Sequence, residues 1–366
     1  MAVISRRSFA HLGIGAGLTG LGVGSRAASA PLPPPPKAPA GAPVVQLAAM
    51  ERDSFCYLPL AVAERLGHFA LEGLDVRIME VNDHHRAMNL LRSGTVQAVS
   101  TRFGHLLEDH ARVLSVDPQA KPEHVSIVLQ GRLPPLLFGV RPDVVDSHGH
   151  ADWGARKVAI PSLNSGAQRL VNYVIRRQAD TAGVSVTAPE FIAVSSPSRL
   201  LAAFRAGEID AVCFPDPVAT QLEKSGAMRT LADFRSIHGC EQALGGPLPT
   251  GCLATFESVA KSRPAMCTAL AAGMLRSLRW IQSAGPSDII RVLPESFFRG
   301  DRALYLSAFI RSRQAWSTDG VMPVNGPETA ARVVAQGSPS LPVQRVSLNT
   351  TFSNAFAQEA MRQAKT

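Results

Sequence analysis

The chain has 366 residues, 46% of them hydrophobic and 18% charged, and carries a net charge of +8. This composition supports real hydrophobic cores and excludes a disordered protein, and the length suggests about two domains. The charges are scattered rather than gathered into a basic stripe interleaved with aromatics, which argues against nucleic acid as a partner.

Residues 1–30 read as a leader. Ser5-Arg6-Arg7-Ser8-Phe9 is a twin-arginine signature, Leu12 to Val23 form a Gly-rich and mildly apolar core, and Ala28-Ser29-Ala30 has the small residues of a cleavage site. The alternatives are a mitochondrial transit peptide or a chance arginine pair. The reading implies a periplasmic protein exported by the twin-arginine pathway. Losing Arg6, Arg7 and Arg26 lowers the net charge to about +5. No segment is long and apolar enough to span a bilayer. Residues 31–43 are a Pro/Ala linker, expected to be an extended spacer. No Cys follows the apolar core, so nothing supports a lipid anchor.

From Val44 onward, short apolar strands alternate with amphipathic helices, the α/β signature. Strands are expected at Val44–Ala49, Leu74–Met79, Val96–Ser100 and Val125–Leu129. Helices are expected at Pro59–Leu66, His84–Arg92 and Phe103–Leu114. A second series has strands at Leu136–Val140, Lys157–Ile160, Phe191–Val194 and Ile209–Phe214. Its helices are Ser165–Gln178, with Leu170, Val171, Val174 and Ile175 on one face, Ser198–Arg205 and Pro217–Lys224. From Ser236 the chain changes character: one strand, Gly251–Thr255, precedes helices at Met266–Ser283, Asp288–Leu293, Asp301–Trp316, Pro327–Ala335 and Ser353–Ala364. Two α/β units with a helical C-terminal part predict two lobes around a cleft. Residues 44–130 with 236–366 form the first lobe and 131–235 the second, and two chain crossings form a hinge.

No GxSxG, HExxH or P-loop motif occurs, and the Gly13-x-Gly15 spacing falls inside the leader. The five cysteines show no CxxC or zinc spacing. Cys213 and Cys252 read as core residues, and Cys240 and Cys252 could pair in an oxidising compartment. His148-Gly149-His150 reads as a solvated loop. No enzyme, catalytic residue, metal site or cofactor is expected.

Five stretches carry a family pattern: Tyr57 to Phe69 (YLPLAVAERLGHF) with Glu72 to Val76; Ala206-Gly207-Glu208-Ile209-Asp210-Ala211 with Asp216-Pro217; Gly245 to Pro249; Pro294-Glu295 with Gly300-Asp301 and Tyr305; and Asp319-Gly320. In this order, over residues 44–360, they resemble the nitrate/sulfonate/taurine-type family of ABC-transporter substrate-binding proteins, which includes relatives of thiamine-pyrimidine synthases. The resemblance implies a periplasmic type II binding-protein fold. It also implies capture of a small anionic or polar organic molecule for an ABC-transporter permease in the inner membrane, by a monomer. A twin-arginine-exported enzyme or a ligand sensor on the same fold is the alternative. The Cys-rich segment of the synthases does not occur here.

Helix N-termini carry free N–H groups and partial positive charge, so those facing the cleft are the candidate ligand contacts. The first is Ser54-Phe55-Cys56-Tyr57, where the family touches ligand, with Ser54, Phe55 and Tyr57 as the candidates. The second is Asn82-Asp83-His84, with Asp83 and His84 standing where the family usually carries a Gly pair; the alternative reading of Asn82 or Asp83 is a helix N-cap. The third is Arg102-Phe103, followed by His105, with Arg102 replacing a small residue and suited to a carboxylate, sulfonate or phosphonate. The fourth is Ser162, Asn164, Ser165 and Gly166, with Asn164 in place of a common Gly. Asp216 follows a strand edge and either binds a ligand donor or caps the helix after it. These departures argue against copying a known ligand of the family.

Overall fold

The computed structural model describes residues 33–51, 54–146 and 151–364. The expected leader, residues 1–30, and the loop His148–His150 lie outside them. Residues 33–43 carry no helix or strand. They lie against the first lobe rather than standing off as a spacer: a Cβ on Gly67 would come within 2.7 Å of Pro36.

The first lobe grows from strands that are largely buried at Ala98–Arg102 and His124–Leu129 and more exposed along the edge strand Asp75–Glu80. β1 (Val44–Ala49) leads through α1 (Leu58–Arg65) and α2 (His68–Leu71) to β2 (Asp75–Glu80). α3 (His84–Arg92), β3 (Ala98–Arg102), α4 (Phe103–Val116) and β4 (His124–Leu129) follow. Local chemistry sets the helix starts. Asp83 accepts the Arg86 amide at 2.8 Å and so begins α3.

The second lobe follows the same plan. β5 (Leu136–Val140) and β6 (Lys157–Ile160) precede α5 (Gly166–Ala182), β7 (Glu190–Ala193), α6 (Pro197–Arg205), β8 (Ala211–Pro215), α7 (Val218–Lys224), β9 (Arg229–Asp233) and α8 (Ile237–Leu244). α5 buries Leu170, Val171, Val174 and Ile175 as its periodicity predicts, with Ser165 at its N-cap and Gly183 left-handed at its C-cap. The chain then returns to the first lobe as β10 (Gly251–Phe256). α9 (Glu257–Ser262), α10 (Pro264–Ser283), α11 (Pro286–Val292), α12 (Glu295–Phe298), α13 (Arg302–Ser312), α14 (Gly326–Gly337) and α15 (Ala355–Gln363) complete it.

The two sheets have the orders β2-β1-β3-β10-β4 and β7-β6-β8-β5-β9. In each, three parallel strands are followed by an antiparallel fourth, β10 in the first and β5 in the second. This is the periplasmic binding-protein fold. No helix among the described residues is long and apolar enough to cross a membrane.

Most expected elements form with shifts of one or two residues at their ends. The sequence passed over β9 and α8, for physical reasons. β9 (RTLAD) carries two charges and little apolar surface. α8 contains Gly239, a poor helix former, which is required because a Cβ there would fall 1.9 Å from the Asp233 carbonyl oxygen. The proposed pairing of Cys240 with Cys252 does not form. All five cysteines are free and buried, and the Cys240 thiol donates to the Phe234 carbonyl at 3.2 Å.

Three passages of chain meet where the lobes join. The amides of Gln130 and Gly131 donate to the Gly251 carbonyl at 2.7 and 3.0 Å, and Thr250 donates to Gly131 at 2.8 Å. The third passage was not expected: Arg132 and Leu133 donate to Ala315, and Ser317 donates back to Gln130. Gly131 must be glycine, since a Cβ would sit 2.3 Å from Thr250 Oγ1.

A buried charge cluster ties the C-terminal helices to the second lobe. Arg235 is 1% exposed. It donates to both Asp233 oxygens at 2.8 Å, to Glu223 at 3.0 Å and to Asp216 at 3.4 Å. Ser312 of α13 donates to Asp216, and Arg311 pairs with Glu223 at 2.6 Å. Removing Arg235 leaves the fully buried Asp216 carboxylate without its cation, while Glu223 and Asp233 stay partly exposed. Arg235→Leu is therefore expected to lower the unfolding free energy by about 3–5 kcal/mol. Urea unfolding checks this, and a loss below about 1 kcal/mol contradicts it.

Candidate functional site

Between the lobes lies a cavity of about 350 Å³. Its first wall carries Glu51, Ser54, Cys56, Arg102 and His105, and its second Ser162, Ser165, Gly166, Arg169 and Asp216. Leu136 and Leu248 line it near the hinge, and Phe297, Arg299, Val333 and Val334 close it from the C-terminal helices. A largely apolar chamber with a few convergent polar groups is the usual form of a small-molecule site.

The expected residues divide clearly. Ser54 lines the cavity and caps a 3-10 turn, accepting the Cys56 amide at 3.3 Å. That turn directs Cys56 at the wall and sends Phe55 and Tyr57 into the core, where Phe55 packs on Tyr305 and Trp316 with ring centroids 4.9 and 5.8 Å away. Phe103, the first residue of α4, is fully buried. Asn82 and Asp83 are exposed and lie outside the lining. His84 is also outside it, held by Thr101 Oγ1 at 2.9 Å and Asp109 Oδ2 at 2.8 Å. Asn164 takes the left-handed conformation (φ 57°), and its amide donates to Gln168 Oε1 at 2.7 Å, outside the lining.

Ser162, Ser165 and Gly166 do line the second wall, and a Cβ on Gly166 would meet open space. Asp216 reaches the lining, but its oxygens are already occupied. Thr220 donates to Oδ1 through both its amide (2.9 Å) and its hydroxyl (2.7 Å), beside the contacts from Ser312 and Arg235. Its role in the fold is to cap α7 and anchor the buried cluster.

Two arginines face the cavity from opposite lobes. Arg102 pairs with Glu51, and its guanidinium carbon lies 5.9 Å from the Tyr57 ring centroid. Burial works against its charge, but Tyr57 and Glu51 outweigh that and hold its pKa above the ordinary value. Arg169, in the first turn of α5, pairs with Glu108 of α4 at 2.7 Å. Between them, His105 is kept neutral: burial first, then Arg102 and its neighbouring histidines, push its pKa well below the ordinary value. Burial raises the Cys56 thiol pKa, so it stays protonated. Among the described residues, no group of three or more His, Cys, Asp or Glu side chains could hold a metal ion.

Glu51, Arg169 and the C-terminal wall were not legible in the sequence. Arg169 reads as the polar face of an amphipathic helix, and Val333 and Val334 read as an ordinary core stripe. The one local signal was the position of Arg169, one turn after the Ser165 cap.

The NMT1/THI5-like family model matches residues 54–118, and the NMT1-like family model matches residues 125–291. The chain belongs to this family. The resemblance to nitrate/sulfonate/taurine-type binding proteins therefore holds. No curated relative matches the sequence. Among solved structures, a protein from Bordetella bronchiseptica RB50 shares 29% identity with this NMT1/THI5-like chain at a TM-score of 0.70, covering 88% of this chain and 98% of its own. The putative sulfonate-binding protein SsuA from Methylobacillus flagellatus KT shares 15% identity at a TM-score of 0.62, with 88% and 94% covered. The periplasmic nitrate-binding protein NrtA from Synechocystis PCC 6803 shares 12% identity at 0.59, with 87% and 88% covered. SsuA and NrtA are binding proteins rather than enzymes.

Behind the first wall, buried histidines make the fold sensitive to acid. His124 is 5% exposed and stacks on Phe256 at 4.9 Å. Burial pushes its pKa down to about 4, and His110, which contacts the His124 carbonyl at 2.8 Å, is lowered by burial too. A folded pKa below the unfolded value near 6.5 means that the unfolded chain binds more protons between pH 6.5 and 4. Stability is therefore full above pH 6.5 and falls as pH drops through that window, by about 3 kcal/mol for His124 alone. Unfolding curves at pH 7 and pH 4 check this, and His124→Gln is expected to flatten the dependence.

Proposed function

We propose that this protein is a periplasmic solute-binding protein that captures a small organic anion between its lobes and delivers it to an ABC-transporter permease in the inner membrane. The observation that carries this reading is the placing of Arg102 and Arg169 on facing walls of an otherwise largely apolar cavity. A guanidinium offers a planar fork of donors to a carboxylate or sulfonate, and burial between lobes strengthens each bond. Ser54 and Ser165 add hydroxyls at helix N-termini, where partial positive charge favours an anion. The likeness to SsuA and NrtA supports a transport role.

In this reading, the sheet β2-β1-β3-β10-β4 with its helices acts as one lobe and the sheet β7-β6-β8-β5-β9 with α5 to α8 as the other, turning about the junction at Gly131 and Thr250. The solute is buried when the lobes meet, and the loaded, closed form is the one that the permease recognises. The twin-arginine leader delivers the monomer to the periplasm.

A thermal-shift and calorimetric screen of the purified protein against sulfonates, carboxylates, nitrate, pyrimidines and amines tests the proposal. A solute present at a hundred times its dissociation constant stabilises the folded state by about 2.7 kcal/mol. An organic anion is expected to raise the melting temperature, and Arg102→Met to weaken its binding by about tenfold or more, the worth of a hydrogen bond to a charged group. Binding only of amines, or equal binding by Arg102→Met, would overturn the anion assignment. No shift with any solute would overturn the binding role.

A further inference from the structure

The cavity is fastened from outside as well as from within. α14 leaves the first lobe and packs against both α4 of that lobe and α5 of the other. Leu107 of α4, Ala330, Val333 and Val334 of α14, and Leu170 and Val174 of α5 belong to one continuous apolar cluster. The turn Val343–Arg345 packs on both α4 and α14 and so anchors the strap to the first lobe. When the lobes separate, this α14–α5 contact must part, along with the contact of α13 on α7 through Ser312 and Arg311.

Charge sits on that same contact. Arg169 of α5 pairs across the lobes with Glu108 of α4 at 2.7 Å, with side chains only 17% and 12% exposed. Ser338, just beyond α14, donates to Glu108 at 3.3 Å. The last residue of α14 is Gly337, where a Cβ would fall 2.4 Å from Arg169 Cγ, so the stem of Arg169 passes directly over the helix end. At the other side of α14, Arg332 donates to the Leu244 carbonyl of α8 at 3.3 Å. The Arg102–Glu51 pair, by contrast, lies wholly within the first lobe.

We infer that α14 is a strap that holds the two lobes closed before any solute arrives, and that Glu108 is the positioning residue that fastens Arg169 to it. The ligand-free protein rests closed, and solute exchange requires the Arg169–Glu108 pair to open. This concerns the protein without ligand, so it stands or falls separately from the identity of the solute.

Pulsed EPR on the ligand-free full chain tests it. Nitroxides are placed at Val116→Cys, the last residue of α4, and Val184→Cys, beyond α5, which are 85% and 60% exposed, while the five native cysteines are buried. The parent is expected to give one narrow distance distribution. Glu108→Ala is expected to add a longer-distance population, raising the open-to-closed ratio on the order of tenfold. Glu108→Gln, which keeps a hydrogen bond but not the charge, falls between the two. Gly337→Ala displaces Arg169 from the other side and is expected to open the lobes likewise, so loss of fold in one variant leaves the other decisive. Glu257→Gln, which removes only the exposed pair with Lys261, leaves the distribution unchanged. A parent already open, unchanged distances in both Glu108→Ala and Gly337→Ala, or an equal shift in Glu257→Gln would overturn the inference.

Discussion

The hydrogen bonds among Gly131, Thr250, Gly251 and Ala315 hold three passages of the chain within one peptide spacing of each other. Everything in the cleft depends on that junction. Each sheet takes its antiparallel fourth strand from the segment that has just crossed over, β5 in one lobe and β10 in the other. The crossings are therefore continuous with the sheet cores and cannot move without moving them. The two walls consequently face each other with the starts of α4 and α5 on either side.

Charge is distributed over this frame in matched sets. Arg235 satisfies three carboxylates in the second lobe, Arg102 meets Glu51, and Arg169 meets Glu108. Arginine suits such places because its fork reaches two partners at once and keeps its charge when buried. Within the cavity this means that each cation is already aimed. A carboxylate beside each guanidinium, Glu51 and Glu108, fixes its orientation, so a bound anion orders less side chain than it would with a free arginine.

Much of this was legible in the sequence because local rules and global fold agree. Ser165 before an apolar stripe announces α5, Asp83 announces α3, and alternating strands and helices announce two α/β units. The site was legible only in part. Ser54, Arg102, Ser162, Ser165 and Gly166 stand at helix starts, and those starts face the cleft. Phe55, Tyr57 and Phe103 share the same segments but turn inward, because a 3-10 turn or the first turn of a helix sends adjacent residues to different sides. Asp216 and His84 could not be assigned from sequence, since their roles depend on Arg235, Ser312 and Asp109, which lie between 19 and 96 residues away. Arg169 and α14 were missed for the same reason: their meaning comes from contacts between lobes.

The cysteines carry a consequence of another kind. Burial raises the pKa of Cys252 to about 12 and of Cys267 to about 11, and moves those of Cys56, Cys213 and Cys240 in the same direction. A protonated, enclosed thiol is neither a nucleophile nor a target for oxidants. The fold therefore has no electrochemical preference. It needs no disulfide to mature and, apart from Cys56 at the cavity wall, offers no thiol to be cross-linked, so the same shape persists in a reducing and in an oxidising compartment.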